Sequence, residues 1–283
     1  MRQKEMILQA AGFWVLAVIG SVSCSSGPQR PTDRWTSRWH ETEQLLSEGK
    51  VDETLQQVEI LLAAEEPNKT KAAAWKMLVL AGKARGYFEL AEAYLAGSEQ
   101  NPAQFSDFRR AVSRYRSHSR AASLALAQMA SDSERYFGST DTIPLDLPLP
   151  PGSTSPSPIV ASIAVGRLAP EAQLQAAEQY TLRRAIVLMV YEAGRATAKT
   201  PSGEGLDLRP VAIPKPRLLA VMGKILYQQA DLFAKAHLDD PDKHRLLLDL
   251  SGRLLETSLL YQQQQKAGLE LWQTELQNRR SLP

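Results

Sequence analysis

The sequence predicts an all-α protein: helical hairpins followed by long helices in an antiparallel helical array. Three observations carry this. After about residue 34, apolar residues recur at helical spacing almost throughout, and no convincing alternating strand interrupts them. Turn residues punctuate the first part of the chain in pairs, Gly49 with Gly86 and Pro67 with Pro102, at a spacing of about 36 residues, in the range of stacked helix pairs. From Phe105 to about Phe137 a heptad-like seam then runs without a turn residue.

Taken in order, segment 34–48 places Trp35, Trp39, Thr42, Leu45 and Leu46 on one face and stops at Gly49. Segment 52–64 places Leu55, Val58, Leu61 and Leu62 together and ends before Pro67, so the two form a hairpin. Segments 70–84 and 87–99 read as a second hairpin turning at Gly86 and stopped by Asn101-Pro102. The long helix 105–137 follows, with Phe105, Phe108, Val112, Tyr115, Ala122, Leu126 and Met129 on its seam. Residues 138–168 open with the proline-rich "GSTDTIPLDLPLPPGSTSPSP", an extended connector and the clearest internal boundary. Helices are expected beyond it at about 170–199, 216–238 and 242–280, the last bent near "KAG" at 266–268. The run "AIVLMVY", 185–191, has a strand's composition, but helix-forming "EAQLQAAEQYTLRR" leads into it without a turn, which favours a helix.

In "WKMLVLAGKARGYFELAEAYLAGSEQNP", Trp75, Leu78, Ala91 and Leu95 fall at the spacing of large, large, small and large packing positions, and the stretch resembles the tetratricopeptide repeat. Val79 and Gly82 depart from that pattern, and Pro102 comes one residue early. The preceding unit, "EQLLSEGKVDETLQQVEILLAAEEPN", keeps the glycine turn and the apolar spacing, with Thr54 as its small residue. The resemblance implies a concave groove with Lys76 and Lys83 facing into it and Trp39 in a comparable place in the first unit. These three are the candidate partner-binding residues. The lysines would grip a carboxylate by charge-assisted hydrogen bonds.

The N-terminus has the layout of an export signal. Arg2 and Lys4 precede the apolar stretch Ile7 to Val22, which carries no charge. Within it "SVSC", Ser21 to Cys24, resembles the lipobox of bacterial lipoproteins, although Ser21 stands where that family usually has leucine. The resemblance implies a signal peptide of residues 1–23, a lipid on Cys24, and a short polar tether, 24–33. In a Gram-negative host the same resemblance implies the periplasmic face of the outer membrane, Ser25 standing where an aspartate commonly retains such proteins in the inner one. An uncleaved anchor and a cleaved, lipid-free secreted form are the other readings. The lone cysteine, which cannot form an internal disulfide, favours the lipoprotein.

Of the formal net charge of +2, the signal segment carries Arg2, Lys4 and Glu5, so the remainder is near neutral and argues against general nucleic-acid binding. No Gly-rich phosphate loop, GxSxG, HExxH or cysteine pair is present, so no catalytic residue, metal or cofactor is assigned. "HLDDPDKH" gathers His237, Asp239, Asp240, Asp242 and His244, yet Asp240 before Pro241 reads as a helix N-cap rather than a metal ligand. Arg34, Arg38 and His40 interleave with Trp35 and Trp39, the pattern of either a headgroup-level segment or a hairpin core. Arginines 109, 110, 114, 116 and 120 read as a solvated face that could also meet an acidic partner or anionic lipid.

Together these features lead to a membrane-tethered, non-enzymatic helical adaptor or scaffold in a bacterial cell-envelope complex, its partners other envelope proteins or peptides. The alternative is a small-molecule-binding helical lipoprotein associated with a transporter, its ligand in a pocket between residues 34–137 and 169–283. An envelope enzyme is a third reading.

Overall fold

The structure is a computed structural model and describes residues 31–63, 69–138, 140–145, 155–194, 211–261 and 273–278. Cys24, the signal segment, most of the tether and the "KAG" bend lie outside these residues. The described chain is all-α apart from one pair of short strands.

Helices α1 (Pro31–Ser47) and α2 (Val51–Ala63) form the expected hairpin. Gly49 closes α1 at φ 78°. Its N–H bonds the Leu46 carbonyl at 3.0 Å while the Lys50 N–H bonds that of Leu45 at 2.9 Å. This double closure puts glycine in the left-handed position and lets α2 begin at once.

The second hairpin does not form. Residues 69–100 are one helix, α3 (Lys69–Gln100), running straight through Gly86. Trp75, Leu78, Ala91 and Leu95 therefore lie along a single helix and cannot pack across a turn. The glycines serve close approach instead. A Cβ on Gly82 would stand 2.4 Å from Ile186 Cγ1 and 2.6 Å from its Cα, and one on Gly86 would stand 2.9 Å from Leu182 Cδ2. Gly82 and Gly86, four apart and on one face, make a groove that the backbone of α7 (Glu171–Gly194) occupies.

A tight turn at Asn101 leads to α4 (Phe105–Ser131), which returns along α3 and is followed by the short α5 (Ser133–Phe137). The seam is buried at Phe108, Val112, Tyr115, Ala122, Leu126 and Met129, while Phe105 is half exposed. The connector is not wholly extended. It contains β1 (Thr142–Leu145) and α6 (Pro158–Ala164), and β1 pairs antiparallel with β2 (Val211–Pro214), Ile143 opposite Ile213. Both strands are short and contain proline, which hides them from a search for alternation. Helices α8 (Lys215–Ala230) and α9 (Pro241–Tyr261) pack as a pair against α3 and α4, and residues 273–278 are again helical. "AIVLMVY" lies in α7, as a helix.

Because α3 touches α2, α4, α6, α7, α8 and β1, it is the axis of one continuous apolar core shared by residues on both sides of the connector. Ala72, Ala73, Ala74, Trp75, Met77, Leu78, Val79 and Ala81 are all buried, so the first half of α3 is enclosed on most sides, with Lys76 and Lys83 turned to α2. Ion pairs tie the surrounding helices to it: Arg184 of α7 with Glu89, and Arg85 with Glu192 of α7 at 2.8 Å.

Candidate ligand-binding cleft

A cleft of about 420 Å³ opens where the first hairpin, α3, α4 and α7 meet. One edge is the Gly49 turn with the start of α2, from Lys50 to Glu53. The opposite wall is a stripe of α7: Glu171, Leu174, Gln175, Glu178, Gln179 and Leu182, spaced to share one helix face. Tyr87 of α3 and Arg114 and Tyr115 of α4 complete the lining. Arg183 of α7 fixes the hairpin edge by donating to the Ser47 carbonyl at 3.0 Å, a cation at the open end of α1.

The polar centre is a relay through one phenol oxygen. Tyr115 Oη accepts from Arg114 Nη2 at 2.7 Å and donates to Glu178 Oε2 at 2.9 Å. The rings behind it are packed: Tyr115 stacks with Tyr87 at 5.9 Å between centroids, His118 covers Tyr87 at 4.9 Å, and Tyr94 sits 5.5 Å from Tyr115. Burial, and next the charge of Glu178, push both the Tyr87 and Tyr115 hydroxyls well above the ordinary phenol range. Each stays protonated at neutral pH and acts as a hydrogen-bond donor rather than a base. The Arg114 guanidinium is held charged: burial acts against it, and the neighbouring Tyr115 and Glu178 outweigh that cost.

The charges at the rim are mostly accounted for within the protein. Lys50 pairs with Glu48 at 2.8 Å, and Asp52 pairs with Lys83. Lys76 pairs with Glu59 at 3.0 Å, so both candidate lysines reach from α3 to carboxylates of α2. Trp39 is buried, packed edge-to-face on Trp75 at 5.4 Å with Lys71 Nζ 4.3 Å from its ring centre. The hairpin on which a concave groove depended is absent: Lys76 and Lys83 bridge α3 to α2, and Trp39 of α1 is core.

Asp240 caps α9, its Oδ1 accepting from the Lys243 N–H at 3.1 Å, and Pro241 occupies the first position. His237 turns away to Arg116, 3.2 Å from Nη1, and among the described residues no cluster of histidine, cysteine and carboxylates is arranged for a metal ion. Of the arginine run, Arg109, Arg110 and Arg114 are exposed, while Arg116 pairs with Glu92 at 3.2 Å. Among the described residues no helix is long and apolar enough to cross a membrane.

No protein-family model, curated protein or solved structure matches this chain. Sequence reasoning passed over Glu178, Tyr115 as a polar group, and Tyr87. The signal for Glu178 was available: Glu171, Gln175, Glu178 and Gln179 form a polar stripe on a helix that the core otherwise claims.

Proposed function

We propose that the protein is a membrane-tethered, non-enzymatic binding protein of a bacterial cell envelope that holds a small polar molecule in the cleft between α2, α3, α4 and α7. The observation that carries this reading is the Arg114–Tyr115–Glu178 relay in the lining of a cleft of about 420 Å³, within the range of small-ligand sites. Fixed donors and acceptors set against packed rings are what a specific polar ligand requires. The tether reading rests on Cys24 and the lipobox resemblance.

A second reading, the adaptor or scaffold, draws support from one end of α4. There Arg110 is 82% exposed, and Arg109 lies 5.5 Å from the ring of half-exposed Phe105, a basic and aromatic surface suited to an acidic protein partner.

Extraction of the full-length protein from membranes in mild detergent separates the two. A monomer carrying a small molecule supports the ligand binder, and a stoichiometric complex with other envelope proteins supports the adaptor. For the tether, Cys24→Ala should abolish lipid labelling and leave unprocessed precursor. A variant still lipid-labelled and of mature size would refute lipidation at Cys24.

A further inference from the structure

We propose that the cleft binds a small zwitterion carrying a second positive charge, the class of the basic amino acids. The proposal rests on the cleft being a ligand site and specifies what that site recognises.

The relay sets two opposite charges on either side of a single phenol oxygen, Arg114 at 2.7 Å and Glu178 at 2.9 Å. No ion pair joins them directly, so each keeps bonding capacity. The guanidinium donates to Tyr115 through one of its five N–H groups, and the carboxylate uses Oε2 for the phenol. An α-amino acid presents a carboxylate and an ammonium on one carbon. Its carboxylate suits the planar fork of Arg114, and its ammonium suits Glu178, with Tyr115 between them.

The remaining lining decides the side chain. Asp52, Glu53, Glu171 and Glu178 stand against Lys50 and Arg114, an acidic excess. Lys83 offsets Asp52, and Lys50 is drawn to Glu48 outside the cleft. Glu171 is an exposed carboxylate on the α7 wall, and exposed Glu53 on the hairpin edge shares Lys50 with Glu48. This acidic excess favours a ligand with a cationic side chain and disfavours one with an acidic side chain. Leu174 and Leu182 supply an apolar strip for a methylene stem.

Calorimetric titration of the full-length protein in detergent at low salt tests this with four probes: L-lysine, L-norleucine, L-glutamate and 1,5-diaminopentane. L-lysine should bind one to one. Norleucine, which lacks the second charge, and diaminopentane, which lacks the carboxylate, should each bind about tenfold or more weakly, and glutamate more weakly still. Glu178→Gln and Arg114→Gln should each weaken lysine by a similar factor. Because Glu178 also holds Tyr115, the rim variant Glu171→Gln provides a second route: it should narrow the preference for lysine over norleucine while leaving norleucine unchanged. Equal binding of diaminopentane and lysine, or of glutamate and lysine, overturns the proposal while leaving the cleft a ligand site. Absence of binding by all four probes also overturns it, and a copurified molecule of another class would then identify the occupant.

Discussion

Tyr115 is almost wholly buried, yet its hydroxyl is the one oxygen shared by Arg114 and Glu178. The ring is paid for by packing against Tyr87 and Tyr94, and the hydroxyl by its two partners. Raised phenol values have a consequence for stability. The unfolded chain loses these protons near the ordinary value of about 10, whereas the folded state retains them. Their contribution is thus fully present below about pH 10 and is lost as pH rises toward the folded values. Chemical denaturation between pH 8 and 11 should show stability falling above about 10, and Tyr87→Phe with Tyr115→Phe should flatten that fall. An equally steep fall in the double variant would mean that other groups set the alkaline limit. At Asp240, hydrogen bonds from the Lys243 side chain and backbone hold the carboxyl below its usual range. Asp240→Ala should lower the melting temperature, and Asp240→Asn, which preserves an N-cap acceptor, should lower it less. Identical melting of the two variants would argue against a cap.

At the scale of elements, the two glycines of α3 make contrasting predictions. An alanine in a helix normally gains over glycine, but at Gly82 the new methyl meets the backbone of Ile186 at 2.6 Å. Gly82→Ala should therefore cost about 1–3 kcal/mol in denaturant unfolding. At Gly86 the nearest atom is the flexible end of Leu182 at 2.9 Å, and its Cα is 3.2 Å away, so Gly86→Ala should lie close to neutral. A neutral Gly82→Ala would contradict the close seating of α7. These same glycines show where legibility ended. Helical periodicity located the material of nearly every helix, and Gly49 was correctly a turn because its neighbours are polar and its backbone is left-handed. Gly86 looked identical in spacing, but its purpose depends on α7, about a hundred residues later, and no local pattern records that. The short strands were hidden in the same way, since each is defined by a partner about seventy residues away, β1 within the connector and β2 beyond α7, rather than by its own alternation.

For the whole molecule, α7 packs along α3, which runs unbroken through Gly86, and supplies the cleft wall that stands opposite the start of α2. Little of the candidate site was legible: its lining comes from both sides of the connector, 49–115 and 171–182, and a sequence read segment by segment does not bring these together. Tyr87, Tyr115 and Glu178 come from three helices and share no motif. Lys76 and Lys83 were visible as a pair on one helix face, and their carboxylates proved to be internal, on α2. If the cleft is the working surface of a tethered binding protein, native mass spectrometry of the full-length protein released intact from membranes should show a small-molecule adduct on the wild-type protein that is lost in a folded Glu178→Gln variant. A ligand-free wild-type protein held in a stoichiometric protein complex that Glu178→Gln leaves intact would contradict it.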